Sequence, residues 1–298
     1  MNRILILFLA SLLPCCAIGQ NKSKASTKKT TTTAKTSATK PAVQSKPALT
    51  PKEERMLSGL EKFIIFDSLV VSKSELFKAY PLSESAGKLS WTDAENTRPD
   101  SLLTRRPTRH TIAYGDKRIE SCVVDSTKAF IGSSIHINDQ WTAPEALFAH
   151  DNTDAVLQNF PYLMADGQTI YFAQQSDDGL GGLDLYMTRQ NSDRDGYYRP
   201  ENIGMPFNSN ANDYMLVIDE ESGIGMFASD RWQPADSVCV YYFIPSNLRL
   251  TYDEENLSQE QRIDLARIKR IADTWTFTEQ ENIDKYRENL RKRFSIAK

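Results

Sequence analysis

Short apolar runs bounded by polar turn residues fill the middle of the chain. Runs of about four to eight apolar residues between such turns are typical of β-strands. Two sets of three runs follow one another, at 160–163, 170–173 and 183–188, and then at 214–217, 225–228 and 238–244. An earlier run at 119–124 belongs to a more degenerate set over 110–147. The pattern predicts an antiparallel, mainly β centre.

Helix signals stand at the two ends of the folded part. At the N-terminal end, Thr50 and Glu53 form a capping box, with Pro51 at the first helical position. Apolar residues then recur at helical spacing, which predicts a helix. After it, 63–71 has the composition of a strand and 74–80 that of a short helical turn.

Two further capping boxes, Ser258-x-x-Gln261 and Thr278-x-x-Glu281, predict helices at the C-terminal end. The second of these helices carries an apolar stripe on one face, formed by Ile283, Tyr286, Leu290 and Phe294. An exposed stripe of this kind is unfavourable in water. Either the β-repeats cover it within the chain, or a partner covers it. We favour the first, because an incomplete set of β-repeats leaves an open edge.

The centre of the chain repeats itself. Residues 141–147 and 197–203 share the order aromatic, two residues, Pro-Glu, one residue, aliphatic, so that Trp141 corresponds to Tyr197, 56 positions later. Each copy reads as strand, Asp-Gly-type turn, strand, Gly/Asp-rich loop, strand and then this aromatic segment. A lone copy could not bury both of its faces, so several copies must stack to form a core. We therefore expect about three antiparallel, propeller-like blades, fewer than an ordinary closed propeller has.

These patterns divide the chain into consecutive segments. A leader over 1–19 and a linker over 20–50 precede a helix-and-strand segment over 51–109. The β-repeats occupy 110–250, and a helical segment occupies 256–298. The predicted fold class is mainly β, with flanking α-helices.

The first residues have the order of a secretory signal. A positive residue precedes an apolar run over 4–13 and a small-residue site, which predicts cleavage between Gly19 and Gln20. The run is shorter than the about 20 residues that span a bilayer. Lipidation at Cys15 or Cys16 is the alternative, although neither follows the small residue that acylation requires. We expect an exported protein, periplasmic or outer-membrane associated, with no transmembrane segment in the mature chain.

Residues 20–50 contain seven lysines and no acidic residue. Such a composition cannot offset the entropy of ordering and predicts disorder. The segment is either a solvated tether, which we favour, or a basic arm that touches anionic lipid or wall polymer. Without these lysines and Arg3, 28 basic residues face 39 acidic ones over 51–298, a formal net charge of −11. This balance argues against nucleic-acid binding.

Cys122 and Cys239 are the cysteines that remain after cleavage. Export allows a disulfide between them. Each lies in an apolar run, however, where a buried free thiol is common. Both alternatives are open at this point, and no cysteine spacing matches a metal site or a redox motif.

The loop 176–184 sets Asp177, Asp178 and Asp184 among glycines. Three carboxylates on a flexible backbone could hold calcium. The spacing, however, matches neither an EF-hand nor the glycine-rich nonapeptide repeat. We favour a turn in which glycines adopt positive φ and Asp184 hydrogen-bonds the loop backbone.

The remaining candidates indicate packing more than chemistry. His110, His136 and His150 lie at unequal spacings without a ligand pattern. Six aromatic residues could form a sugar-binding surface, although in repeats such residues more often pack between strands: Trp141, Tyr197, Tyr198, Trp232, Tyr241 and Tyr242. The sequence contains no nucleophile elbow and no phosphate-cradling loop. We therefore predict no catalytic residue, no metal and no cofactor.

The sequence ADGQTIYF at 165–172, followed by GGLDLY at 181–186, resembles the TolB-type, WD-like propeller repeat. Its continuation, PENIGMPFNS at 200–209, resembles the repeats of exported Bacteroidetes envelope proteins. In those proteins the repeats are often joined to peptidoglycan-binding domains, or belong to the type IX secretion and gliding apparatus. The resemblance is good over about residues 155–231.

The resemblance implies a non-catalytic envelope protein that acts as a protein-interaction scaffold, as an accessory of an outer-membrane secretion or gliding complex. Its expected partners are envelope proteins, with peptidoglycan or polysaccharide as a further class. The alternative is a carbohydrate-binding or glycan-processing periplasmic protein. A convergent polar cluster would favour that alternative, and the sequence does not single one out.

Overall fold

The structure is a computed structural model that describes residues 49–92, 104–125, 127–148, 157–192, 196–246, 248, 250–252 and 256–296. The described residues form a mainly β fold with helices towards both ends, as the apolar pattern predicts. The leader, its cleavage site between Gly19 and Gln20, almost all of the linker and His150 lie outside the described residues.

The N-terminal capping box forms as predicted. The Glu53 backbone N–H donates to Thr50 Oγ1 at 3.2 Å, and the Thr50 N–H donates to Glu53 Oε2 at 2.8 Å. Helix α1 therefore begins at Pro51 and covers Pro51–Ser58. Strand β1 covers Ile64–Ser72, and a 3₁₀ helix over Lys73–Ala79 follows it. Both agree with the predictions for 63–71 and 74–80.

The other strands lie between a short 3₁₀ helix at Glu84–Ala86 and the C-terminal helices. They are β2 (Lys88–Trp91), β3 (Thr108–Thr111), β4 (Lys117–Val123), β5 (Ala129–Ile137), β6 (Gln140–Trp141), β7 (Glu145–Ala146), β8 (Leu157–Leu163), β9 (Thr169–Gln175), β10 (Asp184–Arg189), β11 (Glu201–Asn202), β12 (Asp213–Asp219), β13 (Ile224–Ser229) and β14 (Ser237–Ile244).

Two sheets contain these strands. The larger has the order β11-β10-β9-β8-β5-β4-β3-β2, with β6 and β7 also paired to β5. All of its pairings are antiparallel except one parallel bridge, between Ala129 on β5 and Leu157 on β8. The smaller sheet is antiparallel, with the order β1-β14-β13-β12.

The sheets consist of three meanders. The first is β3, β4 and β5 with β7, the second is β8 to β11, and the third is β12 to β14 with β1. The two copies of the aromatic-x-x-Pro-Glu motif have equivalent places: Glu145–Ala146 pairs with β5, and Glu201–Asn202 pairs with β10. In the third meander β1 takes that outer place by pairing with β14. A strand from the predicted 51–109 segment thus completes a sheet of the repeats.

Aromatic side chains fill one face of the third meander. The rings of Phe63, Phe207, Phe227 and Phe243 contact one another with centroids 5.2–6.5 Å apart. Gly225, opposite Phe243 on the neighbouring strand, leaves room for that ring, because a Cβ at position 225 would overlap it. The core thus depends on the absence of a side chain at this position.

Two α-helices form the C-terminal end. Helix α2 (Gln259–Ala266) begins at the predicted box, with the Gln261 N–H donating to Ser258 Oγ. A 3₁₀ helix over 271–277 follows, and α3 covers Gln280–Ile296. Because α3 begins at Gln280, the predicted box at Thr278 lies one residue too early. No helix among the described residues has the length and apolar character to cross a membrane.

Candidate functional site

The loop 176–184 is a structural turn. The Asp184 carboxylate is buried and accepts hydrogen bonds from the backbone N–H groups of Leu180 at 2.6 Å and Gly181 at 3.2 Å. The Asn202 side-chain amide on β11 donates another at 2.9 Å. Burial outweighs these bonds and raises the pKa of the Asp184 carboxyl. This carboxylate stabilises the loop, as the turn interpretation predicts. The predicted positive φ at the loop glycines is wrong, since Gly179, Gly181 and Gly182 have none. Gly181 is needed for space instead, because a Cβ there would overlap the backbone of the neighbouring loop.

Metal-ligating groups do not converge in the described part of the chain. No set of three His, Cys, Asp or Glu side chains there could hold a metal ion, and Asp177 and Asp178 are exposed. His110 is buried on β3, and its Nδ1 accepts from the Leu163 N–H at 3.2 Å while Nε2 lies 2.9 Å from the Ala86 carbonyl oxygen. Burial lowers the pKa of His110 to about 4. A neutral His110 therefore joins β3 to β8.

A buried ion pair holds the start of the third meander. The Arg231 guanidinium lies 2.8 Å from Asp213 Oδ1, and the two side chains are 3% and 0% exposed. Arg231 also donates to the carbonyl oxygens of Pro206 and Phe207. The other Asp213 oxygen accepts from the Ser209 N–H at 2.6 Å. Both charges are thus saturated by the protein itself.

A second buried pair attaches the end of β1 to the same meander. Lys73 Nζ lies 2.9 Å from Asp230 Oδ2, and the Tyr214 hydroxyl donates to that oxygen at 2.6 Å. Burial alone would raise the pKa of Asp230, but bonds from Tyr214, Asn212 and Lys73 lower it. The pair therefore connects the N-terminal strand to the loop after β13.

The two cysteines lie in different sheets, Cys122 on β4 and Cys239 on β14, and both are free thiols. The structure thus has two free thiols and not the possible disulfide, with Cys239 buried and Cys122 partly buried. Burial, assisted by Glu120, raises the pKa of Cys122 to about 11, and burial also raises the pKa of Cys239. A raised pKa makes each thiol a weak nucleophile.

The six aromatic candidates do not form one surface. Four of them pack against or within the strands: Trp141, Tyr197, Tyr241 and Tyr242. Trp141 contacts the exposed His136, with ring centroids 5.0 Å apart. Tyr198 and Trp232 remain, exposed to 51% and 65%. Of these two, Trp232 lines a groove.

The groove beside Trp232, here called the Trp232 groove, has a volume of about 730 Å³. Besides the turn with Trp232 and Gln233, three parts of the chain line it: β1 with Ser68 and Val70, β14 with Cys239 and Tyr241, and the C-terminal helical segment with Ile268, Lys269, Arg270 and Ile271. The charged groups of this segment pair locally, Lys269 with Asp264 at 2.7 Å and Arg270 with Asp273 at 2.6 Å.

Two residues of the groove have strained backbones. Trp232 has φ of 62° and Ile268 has φ of 49°, in the left-handed region that non-glycine residues rarely adopt. The Trp232 indole N–H donates to the Arg267 carbonyl oxygen at 3.0 Å, which fixes the exposed ring at the rim. Strain of this kind costs about 1–3 kcal/mol and is concentrated at functional sites.

Sequence reasoning found only part of this groove. It singled out Trp232 and Tyr241 as aromatic candidates, but not Val70, Lys269 or Arg270. The local signal for Trp232 is its place between charged and polar residues in a turn, Asp230-Arg231-Trp232-Gln233. Val70 and the helical segment could not be added, because tertiary packing alone brings them to β14.

A second cleft, of about 360 Å³, opens between the second and third meanders. Its lining includes the aromatic residues Tyr171, Phe207 and Phe243 and the carboxylates of Glu61 and Glu201. Burial, with the nearby Glu61 charge, raises the pKa of Tyr171 to about 12. Aromatic faces beside carboxylates are a chemistry that suits a sugar.

The apolar stripe of α3 is covered within the chain. Ile283 and Leu290 are buried in the main core. The Tyr286 ring lies 5.3 Å from that of Phe66, and the Phe294 ring lies 6.1 Å from that of Tyr242. The chain itself therefore covers the stripe, which is the alternative that we favoured from the sequence. The stripe is not available to a partner.

No family model, curated protein or solved structure matches this chain. Its function is therefore inferred from its own residues. Among them, the Trp232 groove combines an open volume, an exposed and fixed aromatic side chain and strained backbone, whereas the buried polar groups described above stabilise loops and strands.

Proposed function

We propose that this chain is an exported, non-catalytic interaction protein of a bacterial cell envelope, and that a partner protein binds in the Trp232 groove. One observation carries the proposal: Trp232 is 65% exposed at a positive φ, and a hydrogen bond to Arg267 fixes its ring. Tryptophan is enriched among the residues that dominate binding energy at protein interfaces. A fixed ring also loses little conformational entropy on binding.

Support for a non-catalytic role comes from the titratable groups. The neutral His110 ring bonds at both nitrogens, and burial raises the pKa of Cys122 to about 11. The carboxylates of Asp184 and Asp213 accept hydrogen bonds from their own loops. These groups are engaged in stabilising the fold. A general acid, general base or nucleophile must instead be free to react with a substrate.

The three meanders support a propeller-like arrangement, in which each meander is one blade of an incomplete ring. In that arrangement β1, from the N-terminal side, supplies the outer strand of the last blade. The blades would act as a rigid support for the groove. This is the TolB-type, WD-like architecture that the repeat resembles, and it agrees with a scaffold function in an outer-membrane secretion or gliding complex.

The envelope location is proposed from the leader. The mature chain should begin at Gln20, in the periplasm or at the outer membrane. Mass spectrometry of the native protein tests this directly. A diacylated Cys15 or Cys16 would instead make it a lipoprotein.

The binding site is tested by quantitative pull-down from envelope extract with wild-type bait and two variants. Trp232→Ala removes the rim aromatic, and Tyr198→Ala removes an aromatic side chain of similar exposure elsewhere. We expect the wild type and Tyr198→Ala to capture the same partner at the same level, and Trp232→Ala to lose most of it. Equal capture by all three baits would refute the proposed site.

Carbohydrate binding is the second candidate, and the cleft beside Tyr171 favours it. Glu61 and Glu201 could bond sugar hydroxyls above the aromatic lining. Incubation with envelope polysaccharides, followed by affinity and product measurements, distinguishes the two candidates. Binding or turnover that Glu201→Gln abolishes and Trp232→Ala leaves unchanged would favour the glycan function over the interaction function.

A further inference from the structure

The outer edge of β1 can be assigned from its pairing with β14. The register is continuous from Asp67↔Tyr242 to Ser72↔Ser237. The Lys73 N–H donates to the Asp236 carbonyl oxygen at 2.9 Å, so Lys73 faces the partner strand. Because backbone groups alternate in direction along a strand, those of Ser68, Val70 and Ser72 point away from β14. They form the free edge of the smaller sheet.

The C-terminal helical segment covers the first half of that edge. The Ile65 N–H donates to Thr274 Oγ1 at 3.0 Å, and the Ile65 carbonyl oxygen accepts from Trp275 Nε1 at 2.6 Å. The Phe66 carbonyl oxygen accepts from Arg287 Nε at 2.8 Å. Three side chains thus bond edge groups that would otherwise face water or another strand.

The second half, 68–72, is open. The Ser68 N–H donates to the adjacent Asp67 carboxylate at 2.9 Å. The Ser72 carbonyl oxygen accepts the first bond of the 3₁₀ helix Lys73–Ala79. Among the described residues, none hydrogen-bonds the Val70 N–H, the Val70 carbonyl oxygen or the Ser72 N–H. The Leu69 and Val70 side chains are 38% and 53% exposed, although both are apolar. Val70 also lines the Trp232 groove, so the open edge and the groove are continuous.

We propose that the open edge at 68–72 binds an extended segment of a partner protein, which adds to the sheet as a further β-strand. The inference rests on the proposed function and names the form of the partner. The Ser68 and Val70 carbonyl oxygens would accept, and the Val70 and Ser72 N–H groups would donate, which is the pattern of main-chain β-addition. The peptide's alternate side chains would enter the Trp232 groove, where Val70 and Trp232 favour apolar ones.

The geometry favours a peptide over a second copy of this chain. In an antiparallel pairing of two copies centred on Val70, Ile65 of one copy would lie opposite Glu75 of the other. The segment that covers Ile65 would then meet the 3₁₀ helix Lys73–Ala79 of the second copy. A single extended peptide has no such helical segments, so it can pair with the open edge without this overlap.

Proline at Ser72 tests the main-chain bond. Ser72 has φ of −65°, the value that proline adopts, and its N–H points away from β14. Ser72→Pro should therefore keep the fold while it removes a donor and blocks the edge, and Ser72→Ala is the matched control. Val70→Pro, with Val70→Ala, repeats the test at the next outward position.

The probe is a phage-displayed library of random linear peptides, selected on the full chain. We expect selected peptides whose affinity falls about tenfold or more in Ser72→Pro and changes little in Ser72→Ala. Trp232→Ala should also weaken them. Folding of each variant is checked by its thermal transition.

Several outcomes would overturn β-addition. These are selection of no peptide, equal affinity in the proline and alanine variants, or a dimer of the free chain that Ser72→Pro dissociates. In the envelope pull-down, capture that Trp232→Ala abolishes and Ser72→Pro spares would refute β-addition but keep the proposed function. Capture that neither variant changes would refute both.

Discussion

The second and third meanders are built differently. The second draws β8 to β11 from one continuous stretch, 157–202, and its outer strand β11 has two residues. The third draws β12 to β14 from 213–244 but takes its outer strand, the nine residues of β1, from the other end of the described chain. The second meander is thus built from neighbouring residues alone. The third meander joins both ends of the fold, and half of the edge of its long outer strand stays open.

Removal of α3 should have the largest effect, because α3 packs against the third meander, which joins both ends of the fold. Truncation after Trp275 deletes Ile283 and Leu290, which are buried, and the partly buried Tyr286 and Phe294. Each buried side chain contributes about 1.5–3 kcal/mol, so their combined loss approaches the whole stability of an ordinary domain. We expect a much lower melting temperature and aggregation. An unchanged melting temperature would show that α3 does not stabilise the third meander. Alanine at the exposed pair Glu288 and Lys292 is the control.

The buried ion pair of the third meander should give the next largest effect. Arg231→Met leaves the Asp213 carboxylate buried without its charged partner, which typically costs about 3–5 kcal/mol. Urea unfolding measures this loss. The double variant with Asp213→Asn should recover part of it, because the unpaired charge is then absent. If the double variant is no more stable than Arg231→Met alone, the cost does not come from that charge.

The contact between the first and second meanders should depend on pH. The folded pKa of His110, about 4, lies below the ordinary value of 6.5. The associated stability is therefore fully present above pH 6.5 and is lost as the pH falls through 4, by about 3 kcal/mol in total. Protonation of His110 at Nδ1 would also replace the acceptor of the Leu163 N–H by a second donor.

Urea unfolding between pH 7 and pH 4.5 measures this dependence. His110→Gln should flatten the profile, and His136→Gln, at an exposed histidine, should leave it as in the wild type. A wild-type profile that is flat over this range would contradict the assignment of the neutral ring to His110.

The smallest effect concerns the covered half of β1. Thr274→Val keeps the shape of the side chain but removes the oxygen that accepts the Ile65 N–H. Thr274 is buried, so the cost should be about 1–3 kcal/mol, that of a buried donor left without an acceptor. Thr276→Val, at an exposed position of the same 3₁₀ helix, is the control. Equal unfolding free energies for the two variants would contradict the account of the covered edge.

Local patterns predicted the elements better than their pairings. The apolar runs and the capping boxes at Thr50 and Ser258 correspond to observed strands and helices, because both signals act between near neighbours in sequence. The aromatic-x-x-Pro-Glu repeat predicted two corresponding segments, and the structure shows that each of them pairs as a short outer strand. That β1 completes the third meander could not be predicted, since periodicity indicates a strand but not its partner. The parts of the Trp232 groove on β1 and in the C-terminal helical segment were missed for the same reason.

Amide hydrogen exchange along β1, in the isolated protein, tests the central claim most directly. The Ile65 amide is bonded to Thr274, and those of Leu69 and Val71 face β14, so all three should exchange slowly. The Val70 amide, on the open edge, should exchange many times faster than its two neighbours in the same strand. If Val70 is instead as protected as Leu69 and Val71, the edge is already covered and the proposed binding strand has no place to pair.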